Sequence, residues 1–444
     1  MPVAETPRPS NGLPRIYPRS DHPISRAQIS EQALKVLYRL KKEGYQAYLV
    51  GGCVRDLLLG REPKDFDVAT NASPDEVRQV FRNCRIIGRR FRLAHVHFGQ
   101  EIIEVATFRG LDPENDSGRI LENGRILRDN VYGTIEEDAF RRDFSVNALY
   151  YNINDFSVVD YVGGMEDHRA GVLRLIGDPE QRYREDPVRM LRAIRFAVRL
   201  GFKIHPSAAQ PIPRLASLLG GIPPARLFDE VLKLLLTGYG IDTFERLRHY
   251  GVFQALFPDT ERALSRAPEG APLTFLAKAL ERTDLRLAEH KPVTPYFLFA
   301  ALLWEPVRLR AGTLIEQGHQ PVLAYQDAAD EVIRRQLKLI TIPKSVTMPM
   351  RDVWSLQARL GQSQGLRAVR LLTHPKFRAG YDFLLLRAET GEADPELADW
   401  WTRFQSADAD TQKHMLRAGG QRSSTRNRTR KRRRKSSTHA APPS

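Results

Sequence analysis

The chain has 444 residues, of which 42% are hydrophobic and 9% aromatic, and its formal net charge is +15. This length allows two or three domains with sizeable cores, while no apolar stretch approaches the roughly 18 residues that indicate a transmembrane helix. The N-terminal segment lacks the apolar run of a secretory signal. Two cysteines, Cys53 and Cys84, are too few for a disulfide framework or a Cys-based zinc site. We therefore expect a cytoplasmic protein without a transmembrane segment.

The positive charge is concentrated near the C-terminus. Ten Lys or Arg residues lie between Arg417 and Lys435, and no acidic residue follows Asp410. Such a cluster indicates a polyanionic partner, with nucleic acid favoured over a membrane surface; a solubilising tail without a partner is the alternative. Because this segment is poor in apolar residues, we predict a disordered basic tail over 406–444. Its densest run is the predicted nucleic-acid contact: Arg430, Lys431, Arg432, Arg433, Arg434 and Lys435.

Helix and strand patterns alternate in the N-terminal part of the chain. Residues 1–25, rich in Pro, Ser and Arg, predict a flexible lead. Ser73 and Glu76 form a capping-box pattern, which predicts that a helix starts there. The spacing of apolar residues predicts helices over 30–44 and 54–59, strands over 45–50 and 65–70, and a hairpin of strands 95–98 and 101–108.

Beyond Asp178 the pattern changes to amphipathic helices separated by Pro and Gly, with almost no strand signal. Strands interleaved with helices, followed by helices alone, predict an α+β head and an all-helical remainder. The predicted boundaries are a head over 26–164, a helical neck over 165–250, and a helical body and tail over 251–405.

A glycine pair lies at the junction between a predicted strand and a predicted helix. In Gly51-Gly52-Cys53-Val54-Arg55 the glycines allow a ligand to approach closely, and their amides face the positive end of the following helix. The side chain of Arg55 adds a full positive charge. These features suit a triphosphate. A glycine pair alone usually marks only a turn, so the prediction of a triphosphate site depends on the acidic motif that follows.

Two carboxylates follow in Lys64-Asp65-Phe66-Asp67-Val68. Residues two apart in a strand project to the same face, so Asp65 and Asp67 point together while Phe66 and Val68 pack behind them. Such close carboxylates repel each other unless a cation lies between them, and Mg²⁺ favours one or two carboxylates plus phosphate oxygens. The pair therefore predicts two-metal phosphoryl-transfer chemistry with Mg²⁺, or Mn²⁺ as the alternative ion. Two solvated acids in a surface turn are the structural alternative.

A third carboxylate has two candidates. Glu104 lies inside an apolar strand, where an acid needs a partner, and Asp143 follows Arg141-Arg142 and precedes Phe144. The sequence does not choose between them, and a structural salt bridge is the alternative role for each.

Four arginines share one face of a helix predicted to begin at Asp186-Pro187, because Asp is a favourable N-cap and Pro a favourable first helical residue. At about 100° per residue, an apolar sector faces away from them. The four are Arg189, Arg192, Arg195 and Arg199. Like charges on one face repel, so this face indicates contact with ATP or with an RNA backbone; a solvated or internally neutralised face is the alternative. Glu185 or Asp186 could also offer hydrogen-bonding groups to a nucleobase.

The motifs GGCVRD, DFD, RRDFSVNAL and REDPVRMLRAIRF occur in this order between Ile24 and Arg199. With them the chain resembles the class II tRNA nucleotidyltransferase/poly(A) polymerase family of the polymerase-beta superfamily. The resemblance implies a nucleotidyltransferase head, a neck that binds nucleotide and RNA, and a helical body and tail that bind RNA.

The resemblance also implies roles for the residues at the motif positions. Asp65 and Asp67 would be the metal ligands, Asp143 the third acid, and the Gly51-Gly52 turn with Arg55 the contacts to the triphosphate. The nucleotide-selecting pocket would contain one residue of the RRD motif and three of the helix motif: Arg142, Asp186, Arg189 and Arg192.

Within the family, the segments Gly88–Gly110 and Arg128–Phe144 are similar to bacterial poly(A) polymerases rather than to CCA-adding enzymes, and later segments extend this likeness to about Arg387. An HD phosphohydrolase domain, which some CCA-adding enzymes carry, is not expected because the eleven His residues are scattered.

The resemblance thus implies template-independent polyadenylation of RNA 3′ ends with ATP, in RNA processing and decay. CCA addition to tRNA is the alternative function. A catalytically silent RNA-binding protein is a third possibility, which the intact acid pair argues against. The expected partners are RNA 3′ ends, ATP and RNA-decay proteins, and the expected oligomeric state is a monomer.

Overall fold

The computed structural model of the chain describes residues 13–88, 92–110, 119–122, 125–129, 131–266, 271–361 and 366–416. The chain divides into two compact units, with the boundary between Leu219 and Gly220. The first unit has an α+β fold, and the second contains helices and no strand among its described residues. The predicted order, an α+β head followed by helices, is confirmed.

The first unit consists of short strands and short helices. Its described strands are β1 (Arg15–Tyr17), β2 (Ala47–Val50), β3 (Asp67–Thr70), β4 (Cys84–Ile87), β5 (Leu93–Phe98), β6 (Glu101–Thr107), β7 (Arg119–Glu122), β8 (Arg125–Asp129), β9 (Leu149–Asn152), β10 (Val158–Asp160), β11 (Val172–Leu173) and β12 (Lys203–Ile204). Its described helices are α1 (Glu31–Lys42), α2 (Gly52–Leu58), α3 (Pro74–Val80), α4 (Ile135–Arg141), α5 (Gly164–Ala170), α6 (Pro179–Glu185), α7 (Val188–Leu200), α8 (Pro206–Ala209) and α9 (Ile212–Leu215).

Eight of these strands form one mixed sheet in the order β1-β10-β9-β2-β3-β6-β5-β4. Neighbouring strands are antiparallel except β3 and β6, which are parallel. Alternate side chains project to opposite faces of a strand, so Leu49 and Val68 join the large core formed with α1, α2 and α3. Val50, Ala69 and Tyr150 face the other side, in a smaller cluster with α4. The candidate site is built on this second face.

Local sequence signals account for the elements around the sheet. The Ser30 hydroxyl accepts a hydrogen bond from the Ala33 amide at 3.0 Å and caps α1, and Ser73 with Glu76 forms the predicted capping box of α3. The β5–β6 hairpin turns at Gly99, whose φ of +64° suits glycine. These predicted starts and the predicted hairpin are confirmed.

The second unit is a set of packed helices. Its described helices are α10 (Pro224–Leu235), α11 (Gly240–His249), α12 (Val252–Leu256), α13 (Pro258–Arg266), α14 (Ala271–Ala288), α15 (Pro295–Leu302), α16 (Trp304–Glu316), α17 (Pro321–Gln336), α18 (Lys344–Leu360), α19 (Leu366–Leu372), α20 (Phe377–Glu389) and α21 (Pro395–Ser406). Helix α20 packs closely on α18 at Gly380, where a Cβ atom would lie 2.7 Å from Leu356 Cδ1. Within the described ranges, no helix combines the length and apolar character needed to cross a membrane.

Two predicted flexible or disordered segments are partly ordered. Strand β1 falls within the lead predicted over 1–25, and it pairs antiparallel with β10, a partner about 140 residues away that no local pattern reveals. Residues 409–416 are helical, and Met415 and Leu416 pack against the cluster around Trp401. The predicted disorder is therefore wrong as far as residue 416, while residues 417–444 lie outside the described ranges.

The helix predicted to start at Asp186 begins slightly later. Asp178 caps α6 by accepting the Gln181 amide at 2.8 Å, and this helix runs to Glu185 with Asp186 as its C-cap. Pro187 is the N-cap residue of α7. Asp186 is therefore a link between two consecutive helices, and the prediction that it caps the second one is wrong.

Candidate active site

Strand register places two acidic side chains next to each other on the second face of the sheet. Asp67 opens β3 and lies opposite Glu104 in the parallel pairing with β6, and opposite Val50 in the antiparallel pairing with β2. Asp67 shares the strand face of Ala69, whose side chain lies in the smaller cluster. The sheet thus brings Glu104, which is 37 residues further along the chain, to the DFD motif.

The predicted acid pair is present with one difference in geometry. Strand β3 begins at Asp67, so Asp65 lies in the preceding loop and is exposed, although we predicted both residues to lie in the strand. Phe66 and Val68 are buried behind the acids as expected. Burial, together with the negative charges of Glu104 and Asp65, raises the pKa of Asp67 to about 6, while Arg142 acts in the opposite direction. The three carboxylates therefore create a negative potential that favours a cation.

The glycine turn between β2 and α2 lies directly beside this potential. Gly51 has a φ of +80° and a ψ of −134°, a conformation that is accessible to glycine and strained for other residues. A Cβ atom on Gly51 would lie 3.7 Å from both Asp67 Oδ2 and Arg142 Nη1. The backbone at this turn therefore lies close to both the Asp67 carboxylate and the Arg142 guanidinium.

Arg55 of α2 is buried, with its side chain only 4% exposed. Its guanidinium donates to Asp56 Oδ1 at 2.6 and 2.8 Å and to Asn147 Oδ1 at 2.7 Å, and it lies 5.3 Å from the centre of the Phe196 ring. These contacts hold α2 against the segment after the RRD motif and against α7. The role of Arg55 at a triphosphate stays a prediction.

Arg142 is the cation that faces the acids. Its guanidinium donates to Asp138 Oδ2 at 2.8 and 3.1 Å and to the Tyr150 hydroxyl at 3.0 Å, and the Tyr150 hydroxyl donates to Asp138 at 2.7 Å. The side chain of Asp138 is 2% exposed. Burial raises the pKa of Asp138, but the charges of Arg142 and Arg109 lower it to about 2. Asp138 and Tyr150 therefore hold Arg142 in place as a cation.

Asp143 belongs to a different set of contacts. Arg192 of α7 donates to Asp143 Oδ2 at 2.5 and 2.8 Å, and Asp143 Oδ1 accepts from the Phe144 amide at 2.8 Å and from Asn147 at 3.3 Å. Burial raises the pKa of Asp143, but Arg192 and these hydrogen bonds lower it to about 2. Asp143 is thus an ionised carboxylate paired with an arginine, whereas Glu104 acts electrostatically on Asp67.

Glu104 has a single described hydrogen-bond partner. His95 of β5 lies opposite Glu104 in the antiparallel pairing, and its Nε2 is 3.3 Å from Glu104 Oε2. The Glu104 side chain is 41% exposed, so it remains accessible to a ligand on this face of the sheet.

The helix motif is held close to the RRD motif. Arg182 of α6 donates to the backbone carbonyls of Arg141 and Arg142 at 2.8 and 2.7 Å, and to Glu185 at 3.1 Å. Arg189 of α7 donates to Glu185 at 3.0 Å and to the Arg182 carbonyl at 2.7 Å. Burial, with the charge of Arg189, lowers the pKa of Arg182 to about 10. Arg182 and Glu185 therefore connect Arg189 to the backbone of Arg142, and Arg192 reaches the same RRD motif through Asp143. Asp186 lies in the link between α6 and α7.

The remaining predicted residues are distributed between α7 and the C-terminus. Arg195 and Arg199 are half-buried on α7, and the Arg195 guanidinium lies 4.9 Å from the centre of the Phe196 ring. The basic run from Arg430 to Lys435 lies outside the described residues.

Asp138, Tyr150 and Arg182 were not among the predicted site residues. Asp138 lies four residues before Arg142, which is the spacing of an i,i+4 ion pair on a helix. The sequence therefore contained a local signal for the contact between Asp138 and Arg142. Tyr150 and Arg182 have none, because their contacts to Arg142 are made between separate elements.

Among the described residues, the acids do not enclose a metal ion with protein ligands alone. In the part of the chain that the structure describes, no three His, Cys, Asp or Glu side chains are grouped closely enough to hold one. A site of one or two carboxylates completed by substrate phosphates and water is the pattern that Mg²⁺ favours, and the exposed Asp65 beside Asp67 fits it. Both cysteines are free and buried, so they offer no alternative ligand set.

Three family models match the chain. The model described as "Poly A polymerase head domain" matches residues 47–174, the one described as "Probable RNA and SrmB- binding site of polymerase A" matches residues 201–264, and the one described as "Polymerase A arginine-rich C-terminus" matches residues 317–435. The first of them covers the strand-turn-helix segment, the acid pair and the RRD motif.

Curated relatives and solved structures agree with these models. The chain is 54% identical to poly(A) polymerase I of Salmonella typhi, over 90% of this chain and 88% of that protein. It is 53% identical to poly(A) polymerase I of Escherichia coli O6:H1, over 94% and 91%. The Bacillus stearothermophilus CCA-adding enzyme in complex with CTP has 26% identity and a TM-score of 0.57, over 84% of this chain and 81% of that one.

The CCA-adding relatives are more distant in sequence. The CCA-adding enzyme of Bacillus pumilus is 38% identical over 47% of this chain and 50% of its own length. The likeness to the poly(A) polymerases extends instead over nine-tenths of the chain, through both compact units. The chain therefore belongs to the poly(A) polymerase family of nucleotidyltransferases.

Proposed function

We propose that this protein adds AMP residues from ATP to RNA 3′ ends without a template and releases pyrophosphate. The observation that carries the proposal is the placement of Asp65, Asp67 and Glu104 beside the Gly51 turn, within a chain that is 54% identical to a poly(A) polymerase I. The reaction forms a bond between the RNA 3′ oxygen and the α-phosphorus, and it breaks the bond to the pyrophosphate.

The chain's own residues supply three parts of this chemistry. Asp65 and Asp67 would hold divalent cations, with Mg²⁺ as the proposed ion and Mn²⁺ as the alternative. Such a cation would supply activation of the attacking hydroxyl and charge neutralisation at the leaving group. Glu104 is the proposed third carboxylate because it acts on Asp67, whereas Asp143 is neutralised by Arg192. The Gly51-Gly52 turn approaches the phosphates with backbone amides.

The arginines of the RRD and helix motifs form the proposed nucleotide pocket. Arg142 faces the acids, and its position depends on Asp138 and Tyr150. Arg189 and Arg192 are tied to Glu185 and Asp143, so their guanidinium edges have fixed directions. Fixed hydrogen-bonding edges read a base without a template, because the wrong base leaves buried polar groups unpaired. Asp186 and Arg55 complete the proposed set.

The same proposal includes RNA contacts beyond the catalytic acids. Arg195 and Arg199 of α7, and the run from Arg430 to Lys435, are the proposed backbone contacts in the neck and in the tail. The domain boundaries set out from the sequence, a monomeric state, a cytoplasmic location and RNA-decay proteins as partners also belong to this proposal.

The test of the function is an extension assay with one RNA primer and each nucleoside triphosphate supplied separately. We expect repeated addition of AMP with ATP alone and no dependence on CTP. Addition limited to C, C and A on a truncated tRNA would instead establish the CCA-adding alternative.

The same assay tests the acids. Asp65→Ala and Asp67→Ala should each reduce the rate about a thousandfold or more, because losing a metal ligand removes several kcal/mol of transition-state stabilisation. Glu62→Gln is the matched control, since it removes an exposed acid from the same loop and should retain the rate. Near-normal activity of a folded Asp67→Ala protein would exclude the proposed metal site.

A further inference from the structure

A surface cavity in the second unit is lined by three arginines. Its volume is about 200 Å³, and its lining residues are Arg359, Arg367, Arg370 and Leu371. Arg359 lies in the last turn of α18, and Arg367 and Arg370 lie three residues apart on α19, which places their side chains on one side of that helix. All four lining residues belong to the second compact unit.

The backbone that presents these arginines is anchored from behind. Ala368 is fully buried and Leu371 and Leu372 are partly buried in the cluster that contains Leu360 and Trp401. The Trp401 indole N–H donates to the Leu360 carbonyl at 3.0 Å, next to Arg359. The ends of α18 and α19 are thus fixed by apolar packing, while Arg367 and Arg370 are exposed and Arg359 is half-buried.

No carboxylate within the described ranges pairs with any of these three guanidinium groups. This distinguishes them from nearby basic residues, because Arg351 pairs with Asp330 at 2.9 Å and Arg378 pairs with Asp382 at 3.0 Å. Arg359, Arg367 and Arg370 are therefore like charges beside one cavity, and an anion bound among them would reduce their mutual repulsion.

The surrounding sequence has the same bias. Residues 332–381 contain ten Lys or Arg and one acid, Asp352, so the cavity lies within a strongly positive segment that precedes the C-terminal basic run. Guanidinium groups bind phosphate oxygens through paired N–H donors, and arginine is favoured wherever phosphate is recognised in this way. A segment with this charge balance is typical of a surface that follows a polyanion rather than of a pocket for a small neutral ligand.

We propose that Arg359, Arg367 and Arg370 form a binding site for backbone phosphates of single-stranded RNA, through which the second unit holds the RNA that is being extended. The site reads phosphates and no base, so it accepts any sequence, as repeated addition to a growing 3′ end requires. This inference rests on the proposed function for its choice of RNA as the polyanion.

The first experiment measures RNA affinity against salt concentration in the full chain. A triple variant, Arg359→Gln with Arg367→Gln and Arg370→Gln, should weaken oligoadenylate binding about tenfold or more and reduce the slope of log K against log salt by about 2, at ~0.7 per lost phosphate contact. The matched control removes three exposed lysines of α1, with Lys35→Gln, Lys41→Gln and Lys42→Gln. An equal loss in the control would show that only net charge matters and would overturn the site.

A second variant separates loss of charge from loss of structure. Replacing the same three arginines by lysine keeps the charges, so the salt slope should return close to that of the unchanged protein, since counterion release depends on charge. Failure of the lysine variant to recover the slope, with an unchanged melting temperature, would contradict a phosphate site.

The source of the anion is tested with inorganic phosphate as the probe. We expect the glutamine variant to raise the KM for RNA more than it lowers kcat, and to leave the KM for ATP unchanged. Saturable binding of inorganic phosphate that the glutamine variant loses, together with unchanged RNA affinity, would assign the cavity to a free anion and overturn the RNA assignment. Absence of AMP addition by the unchanged protein would contradict the proposed function instead, and this readout is independent of the salt slope.

Discussion

Asp67 combines a proposed catalytic role with an electrostatic cost to the stability of the fold. Its pKa is raised to about 6 by burial and by Glu104 and Asp65, so in the metal-free protein its ionised form is disfavoured relative to the unfolded chain. A raised carboxyl pKa destabilises the fold as pH rises from the usual value near 4 through the folded value, and the cost is fully present above it. The same negative potential would attract the proposed divalent cation.

We therefore expect Asp67→Asn to abolish AMP addition while stabilising the metal-free protein. The gain should be about 1–2 kcal/mol at about pH 8 and should disappear below about pH 3, because there the aspartate is protonated in both states. Urea unfolding in the presence of a chelator, at several pH values, measures this difference. A variant that is less stable than the unchanged protein at pH 8 would contradict the electrostatic explanation.

Asp138 of α4 has the opposite effect on the stability of the fold from that of Asp67. Its pKa is lowered to about 2 because Arg142 and Arg109 outweigh its burial. It therefore contributes stability that is present above the usual value near 4 and is lost as pH falls through the folded value. Asp138→Asn should cost about 3 kcal/mol at neutral pH, since it leaves a buried guanidinium without its partner, and the difference should shrink in acid.

Tyr150→Phe is the milder test of the same network. It removes the hydroxyl that contacts both Arg142 and Asp138, at a cost of about 1 kcal/mol, so the protein should remain folded. We expect a higher KM for ATP because Arg142 is less well positioned. A steady-state titration with ATP measures this effect, and an unchanged KM would show that Arg142 does not depend on Tyr150 for its function.

Among the secondary-structure elements, α2 connects the glycine turn to the core. Its two ends both have glycines with positive φ, +80° at Gly51 and +67° at Gly60, but only Gly51 approaches the acids. Gly51→Ala should cost about 1–3 kcal/mol through backbone strain and should also greatly reduce AMP addition, because the start of α2 shifts. Gly60→Ala is the matched control and should destabilise the helix end without affecting the rate. Equal activities of the two variants, measured with saturating ATP, would show that the turn has no direct role.

At the scale of the whole molecule, the distribution of charge predicts how the protein holds RNA. Nine of the ten C-terminal cations lie from Arg422 to Lys435, with no acid among them. Deleting the residues after Gly420 should weaken RNA binding and flatten its salt dependence by ~0.7 per phosphate contact removed, while the KM for ATP stays unchanged. Binding isotherms at several salt concentrations test this, and an unchanged slope would mean that the basic run does not contact RNA.

Features that depend on neighbouring residues could be predicted from the amino-acid sequence. Capping by Ser30 and Ser73, the β5–β6 hairpin and the change from mixed elements to helices all follow from patterns within about ten residues. The order of the motifs was sufficient to indicate the family and its chemistry. Where such patterns were faint, at the start of β3 and at the junction of α6 and α7, the prediction erred by one or two residues, as helix and strand ends commonly do.

Contacts between groups that are distant in the sequence depend on how the whole chain folds. The parallel register of β3 with β6 brings Glu104 to Asp67, and α7 supplies Arg192 to Asp143, so the two candidate acids that the sequence left equal have different surroundings. Strand β1 was missed because β10 provides its pairing, and the burial of Arg55 arises from Asn147 and Phe196, which lie about 90 and 140 residues away. Such contacts depend on how the sheet and helices pack, and no local property of the chain encodes them.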